Sequence, residues 1–169
     1  MRAMIAAIVV VFAGGAAGVV ATWIMTRVTT LMYERENKAA REREDSARGG
    51  VTAYEVAAEK GAGILGRTLT QEQRGRWGLV IHWGLGIGAA VLYAAIRTQL
   101  ESPDLRHGLL FGFIFWAVMD ETLTPLLRLT PGPFAFPWQT HLRGLVGHLV
   151  FGAVAELTLA LLGIVGYGG

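Results

Sequence analysis

The chain has 169 residues, of which 53% are hydrophobic and 17% are charged, and it contains no cysteine. A globular domain usually carries about a quarter charged residues, so this composition indicates a membrane protein, and the missing thiols exclude disulfides, zinc–thiolate sites and thiol nucleophiles. The net charge of +2 and the scattered arginines argue against a nucleic-acid partner, and the sequence predicts no metal and no cofactor.

Four apolar runs are long enough to cross a bilayer as helices. A membrane helix needs about 20 apolar residues to span roughly 30 Å of hydrocarbon. We therefore predict an all-α polytopic fold with transmembrane helices at residues 1–32, 77–98, 106–129 and 142–166. A polar helical segment at residues 33–76, called the insert below, separates the first helix from the second.

The insert carries its own helix signals. We expect the first helix to continue through residues 32–48 and to stop at the glycine pair 49–50. Residues 52–55 (TAYE) form a capping box, which predicts a short helix running to Lys60. A second capping box at residues 70–73 (TQEQ) predicts the start of the helix that becomes the second span.

The third span contains two acids followed by a proline. Pro125 has no N–H for the carbonyl of Glu121 and clashes with it, so we expect a kink near Pro125. The prolines of the following loop, residues 130–141, oppose a helix, and its aromatic residues suit a membrane interface.

The distribution of basic residues predicts the orientation. The side of the membrane that holds the insert carries twelve Lys and Arg residues, whereas the opposite side carries three. Because an excess of these residues marks the cytoplasm, we expect a cytoplasmic insert and both termini outside, in a bacterial inner membrane.

The two halves of the chain resemble each other. Residues 78–82 (GLVIH) and 144–148 (GLVGH) are each followed, four residues on, by a glycine. At a constant offset of 94 residues, four further positions also match: Gly14 with Gly108, Gly18 with Gly112, Met25 with Met119, and Thr30 with Thr124. The pattern predicts two tandem helical hairpins related by an axis along the membrane normal.

Pairs of glycines four residues apart are expected to form helix-packing faces, because small residues let membrane helices approach closely. Three such pairs occur in the spans: Gly14 with Gly18, Gly84 with Gly88, and Gly108 with Gly112.

Three stretches of the second half carry a family resemblance: residues 108–110 (GLL), 129–138 (LTPGPFAFPW) and 147–150 (GHLV). With these, the region from 108 to 156 resembles the YagU-like inner-membrane protein family of bacteria. The resemblance implies a small polytopic membrane protein without an assigned enzymatic activity.

Ionisable residues inside the spans are the candidate site, since charged groups in hydrocarbon are costly and need a reason. A rise of about 1.5 Å per residue predicts that Asp120, Glu156 and His82 share one layer near the midplane and that His148 lies deeper.

Arg27 and Glu121 are expected to form an ion pair at matching depths, which either holds the halves together or belongs to a polar path. Glu156 is expected to face the bundle interior. There it is protonated and hydrogen-bonded, paired with an arginine of a neighbour, or a proton carrier.

The leading functional prediction is a non-catalytic membrane subunit or homo-oligomeric scaffold, with the bilayer and further copies or a larger membrane complex as partners. Small apolar faces and the lack of a nucleophile constellation favour it. The second prediction is a proton- or ion-coupled transporter whose polar path uses the acids and Arg27, with a histidine as relay.

Two further alternatives are weaker. His82 and His148, at repeat-equivalent positions, are candidate axial ligands of a b-type haem or pigment. An intramembrane hydrolase would use acids on different helices, although no sequence signature of one is present.

Overall fold

Long apolar helices make up most of the computed structural model, which describes residues 1–100 and 102–164. Four helices in these residues are long and apolar enough to cross a membrane, and no strand is present among them. They cover Met4–Arg35, Gln71–Arg97, Leu105–Leu126 and Trp138–Leu161. The predicted all-helical membrane class is confirmed.

Seven α-helices follow one another along the described chain: α1 (Arg2–Arg35), α2 (Lys38–Arg48), α3 (Ala53–Ile64), α4 (Gln71–Arg97), α5 (Leu105–Val118), α6 (Thr124–Leu126) and α7 (Trp138–Leu161). A π-helical turn at Met119–Leu123 joins α5 to α6, and a 3-10 turn at Pro133–Ala135 precedes α7. Several bounds differ from the predictions, because α1 extends beyond residue 32, the third span ends before 129 and α7 begins before 142. The predicted end of the fourth span at 166 lies outside the described residues.

The expected continuous helix through residues 32–48 is wrong. The chain leaves the helix at Glu36, which has extended backbone (φ −67°, ψ 152°). Asn37 then starts α2, because its side chain accepts a hydrogen bond from the N–H of Ala40. The hydroxyl of Tyr33 donates to Asp45 at 2.8 Å, so the new helix is held against the end of α1.

The other local signals of the insert are confirmed. Gly49 ends α2 in the left-handed conformation (φ 62°). Both predicted capping boxes are formed, one starting α3 at Thr52 and the other starting α4 at Thr70. The helix α3 continues beyond Lys60 to Ile64 and packs against α4.

The helix α1 lies between α4 and α7, and α5 packs on the other side of α7. Small residues make these contacts close. A Cβ added to Gly14 would lie 2.7 Å from the Cα of Val91 on α4, and one added to Gly152 would lie 2.0 Å from the carbonyl oxygen of Gly108 on α5. Such approaches supply the packing that lipid cannot drive.

Two of the three predicted glycine faces are therefore used inside the chain. At Gly84 and Gly88 an added Cβ would meet no atom of the described residues within 4 Å. The third face thus points away from the other helices of the described residues. The repeat itself stays a prediction.

The predicted kink near Pro125 takes the form of the π-helical turn. The N–H of Thr124 bonds to the carbonyl of Met119, five residues back. This wider turn contains Asp120 and Glu121, and it ends at Leu123, two residues before Pro125. The irregular backbone lies where the chain lines a cavity, which is where membrane helices tolerate it.

Candidate functional site

A cavity of about 570 Å³ lies at the end of the bundle where the insert packs. Residues of α1, α4, the π-helical turn and α7 form its walls, and residues 52–54 of the insert contribute to its lining. Four of the six predicted site residues line this cavity: Asp120, Glu121, His82 and His148.

The π-helical turn places the Asp120 carboxylate near His148. The His148 Nδ1 lies 3.6 Å from an Asp120 oxygen and 2.9 Å from the carbonyl oxygen of Gly144. Because a carbonyl only accepts hydrogen bonds, Nδ1 carries a proton. The imidazole is buried and packs edge-on against Phe115, with 5.0 Å between ring centroids.

The next residue forms a second acid–imidazole pair. His141 Nδ1 lies 2.7 Å from an oxygen of Glu121, and its Nε2 lies 3.0 Å from the carbonyl oxygen of Pro133. Nε2 must donate to that carbonyl, so a second proton has to lie between Nδ1 and the carboxylate. The Glu121–His141 pair thus holds one proton more than a neutral imidazole beside a carboxylate, and its net charge is zero.

His82 lies on the α4 wall of the same cavity. Its Nε2 is 3.3 Å from the hydroxyl of Thr26, and its ring centroid is 4.9 Å from that of Tyr54 in the insert. Burial raises the pKa of Tyr54 to about 12, and the nearby charge of Asp120 adds to the effect. Tyr54 therefore stays protonated and keeps its hydroxyl as a donor.

Among the described residues, two arginines line the cavity, and both are neutralised by acids of the insert. Arg143 donates to Glu44 at 2.6 Å and also to Glu36, while Arg48 bonds to Glu44 at 2.8 Å. Sequence reasoning did not assign these residues or His141 to the site. Asn37 was the sequence signal that could have revealed the two acids, because asparagine is a preferred N-cap residue. A new helix starting there brings Glu36 and Glu44 to Arg143 on α7.

Glu156 lies in a different place from the cavity acids, so the predicted shared layer is wrong. Its carboxylate accepts hydrogen bonds from the Tyr93 hydroxyl at 2.6 Å, from Arg97 Nε at 3.1 Å and from the N–H of Asp104 at 3.0 Å. Of the three states expected for Glu156, the pair with an arginine of a neighbouring helix is the one present. Arg97 is completely buried and was missed, although it lies one helical turn after Tyr93 on the same face.

Four aromatic rings separate the cavity from Glu156. Phe115 and Phe151 line the cavity, Phe111 contacts Phe115, and Tyr93 contacts Phe111 with centroids 4.6 Å apart. We call these four residues the aromatic layer. The layer forms the wall of the cavity on the side nearer Glu156, to which Tyr93 is hydrogen-bonded.

The expected ion pair between Arg27 and Glu121 is not formed. Arg27 is exposed, with its guanidinium 5.6 Å from the ring of Trp23. Glu121 is instead engaged by His141, because the π-helical turn directs its side chain toward α7.

Within residues 1–100 and 102–164, no group of three or more His, Cys, Asp and Glu side chains is placed to hold a metal ion. His82 and His148 share the cavity, but one is hydrogen-bonded to Thr26 and the other to Gly144.

A family model matches residues 65–157, described as a protein of unknown function, DUF1440. The matched region runs from the end of α3 through most of α7, and it includes the Asp120–His148 and Glu121–His141 pairs. The YagU-like resemblance stays a prediction. No curated protein and no solved structure matches the chain. Since the family model covers more than half of the chain, the protein belongs to the DUF1440 family of proteins of unknown function.

Proposed function

We propose that this protein binds a small polar solute in the cavity and couples its movement across the membrane to protons. The observation that carries the proposal is the pair of acid–imidazole contacts, Asp120–His148 and Glu121–His141, inside one cavity of the membrane domain. Ionisable groups at membrane depth commonly belong to ion pathways and proton relays.

Local backbone geometry supports the proposal. Single π-helical turns inside α-helices occur frequently at functional sites. Here the turn positions two consecutive acids so that one contacts His148 and the other contacts His141. A regular helix would direct neighbouring side chains about 100° apart, so the wider turn favours a shared cavity.

We infer that the protein is not an enzyme. The hydroxyls of Thr29 and Thr124, which line the cavity, donate to carbonyls of their own helices, and Thr140 donates to Glu44. A nucleophilic hydroxyl would need a strong base as its partner. Glu44 is a weak one, because hydrogen bonds from Arg143 and Thr140 outweigh its burial and hold its pKa below the ordinary value.

The test is proton flux in sealed liposomes that contain the purified protein and a pH-sensitive dye. A pH gradient should drive dye-detected flux in the presence of a transported solute. Asp120→Asn should reduce the flux at least tenfold, because it removes the titrating carboxylate while keeping its shape. Asp45→Asn is the matched control, since Asp45 lies exposed on α2 outside the cavity.

Equal flux in the wild type and in Asp120→Asn would refute the coupling role of the cavity. Retained helix content in both variants, measured by circular dichroism, excludes unfolding as the cause of a loss.

We propose that the insert and the mouth of the cavity lie on the cytoplasmic side of a bacterial inner membrane. The twelve basic residues on the insert side support this assignment. Because the chain has no cysteine, a single cysteine at Ser46 should react with an impermeant maleimide only after the inner face is exposed. Labelling of Ser46→Cys in intact spheroplasts would show that the insert faces outward and would contradict the proposed orientation.

A homo-oligomeric assembly is the second candidate, and it is compatible with the first. The unoccupied glycine face of α4 supports it, because Gly84 and Gly88 leave room for a second helix and Leu92 beside them is 59% exposed. Gly88→Leu should shift the protein toward monomer. Light scattering, corrected for the bound detergent, measures the molar mass of the protein and checks this. An unchanged mass would exclude this face as the interface.

A further inference from the structure

We propose that the solute bound in the cavity is a monovalent organic cation, such as a quaternary or protonated amine, and that Asp120 is its counter-charge. The inference rests on the proposed function and names the chemical class of its solute. It follows from the partners of the charged groups around the cavity and from the character of its walls.

The arginines contribute no net positive charge to the cavity. Arg48 and Arg143 are held by Glu36 and Glu44, so two positive charges are balanced by two negative ones. An anionic solute would have to displace a buried carboxylate from Arg143, because Glu44 is only 2% exposed.

The Glu121–His141 pair is also neutral, as its hydrogen bonds require one shared proton. His148 donates its Nδ1–H to the Gly144 carbonyl at 2.9 Å, and the same nitrogen lies 3.6 Å from the nearer Asp120 oxygen, beyond hydrogen-bonding distance. Asp120 is thus the carboxylate of the cavity wall that accepts no hydrogen bond from a described side chain, whereas Glu121 is engaged by His141, and a monovalent cation would provide its partner.

The walls favour an organic cation over a metal ion. Tyr54, Phe115, Trp116 and Phe136 line the cavity, and aromatic faces attract alkylammonium groups. The volume of about 570 Å³ lies within the range of small-molecule sites, about 300–1,000 Å³. A bare metal ion would need several oxygen ligands at short range, whereas the described residues contain no cluster of three or more acids and histidines placed to hold one.

The probe for this inference is radiolabelled tetraphenylphosphonium, measured by equilibrium dialysis with the purified protein in detergent. Tetraphenylborate has nearly the same shape and the opposite charge, so it separates recognition of charge from partition into apolar surface. We expect saturable binding of the cation, no competition by the borate, and at least tenfold weaker binding by Asp120→Asn. The control Asp45→Asn should bind like the wild type.

Equal binding by Asp120→Asn, or displacement of the cation by the borate, would overturn the inference. Asp120→Glu, which keeps the charge, should retain more binding than Asp120→Asn, and the reverse order would also contradict it. If proton flux depends on Asp120 while the cation does not bind, the solute class is wrong and the proposed function stands. If both measurements are independent of Asp120, both proposals fall.

Discussion

Three donors from different parts of the chain converge on the carboxylate of Glu156. Tyr93 and Arg97 come from α4, and the third donor is the N–H of Asp104 just before α5. The Arg97 guanidinium is fully buried and also donates to the carbonyl of Leu100. Since the carboxylate is almost completely satisfied by protein groups, this cluster serves to hold the helices together.

Removing one partner of this buried ion pair should destabilise the bundle strongly. Glu156→Gln leaves the charge of Arg97 buried without a counter-charge, and we expect a loss of about 3–5 kcal/mol in the free energy of unfolding. The measurement is equilibrium unfolding in detergent.

A double-mutant cycle provides the control. Adding Arg97→Gln to Glu156→Gln should restore part of the lost stability, because no unpaired charge remains. Additive losses from the two changes would contradict a direct pairing.

At the scale of residues, the sequence identified the ionisable groups of the spans but could not pair them. Asp120 and His148 were both candidates, and the structure brings them together. Glu156 was predicted to share a layer with Asp120 because the depth of each residue was estimated from its position along its own helix, without knowledge of how the helices are offset. Its true partner, Arg97, lies at a span end, where arginine normally indicates contact with water or headgroups.

At the scale of elements, close helix contacts depend on positions without a side chain. A Cβ at Gly14 would meet backbone of α4 at 2.7 Å, whereas a Cβ at the adjacent Gly15 would meet nothing within 4 Å. Backbone on both sides of such a contact cannot move aside without separating the helices.

We therefore expect opposite effects from two neighbouring alanine substitutions in α1. Gly14→Ala should lower the free energy of unfolding by about 1–3 kcal/mol through overpacking. Gly15→Ala should be neutral or stabilising by up to about 1 kcal/mol, because alanine favours a helix more than glycine does. Thermal unfolding of the two variants checks this, and equal melting temperatures would contradict the tight α1–α4 contact.

The elements themselves were largely predictable, since length, apolar runs and capping boxes are local signals. The π-helical turn was not, because Pro125 predicts only that the ladder of hydrogen bonds is interrupted. Whether a helix then bends or widens depends on neighbours such as His141 and His148. The break at Glu36 was missed for a similar reason: the acids of this segment turn toward Arg143, a residue more than 100 positions away.

At the scale of the whole molecule, the α2 helix of the insert is attached to α7 through Glu44, which bonds to Arg143 and Thr140. Burial would raise the pKa of Glu44, but hydrogen bonds from Arg143 and Thr140 outweigh it and hold the pKa below its ordinary value of 4.5. Glu44 thus binds a proton less readily when docked than when released. Its contribution to docking is complete above about pH 4.5 and is lost as the pH falls through the lower, docked value.

Acidification should consequently release α2 from α7 before the membrane helices separate. Spin labels on cysteines introduced at Ser46 and Ala135 should report a narrow distance distribution at pH 7 and a broad one near pH 3. In Glu44→Gln the distribution should already be broad at pH 7 and should change little with pH. A narrow distribution at both pH values in the wild type would contradict this attachment.

The aromatic layer has a consequence for the cell that would carry this protein. Cells store energy as ion gradients across membranes, and any permanently open pore would dissipate such a gradient. Here an ion that enters from the insert side meets Phe115 and Phe151, and behind them a carboxylate already occupied by Arg97. In a transporter of the proposed kind, this conformation would be the one closed at the aromatic layer, and passage would require the rings to separate while the opposite entrance shuts.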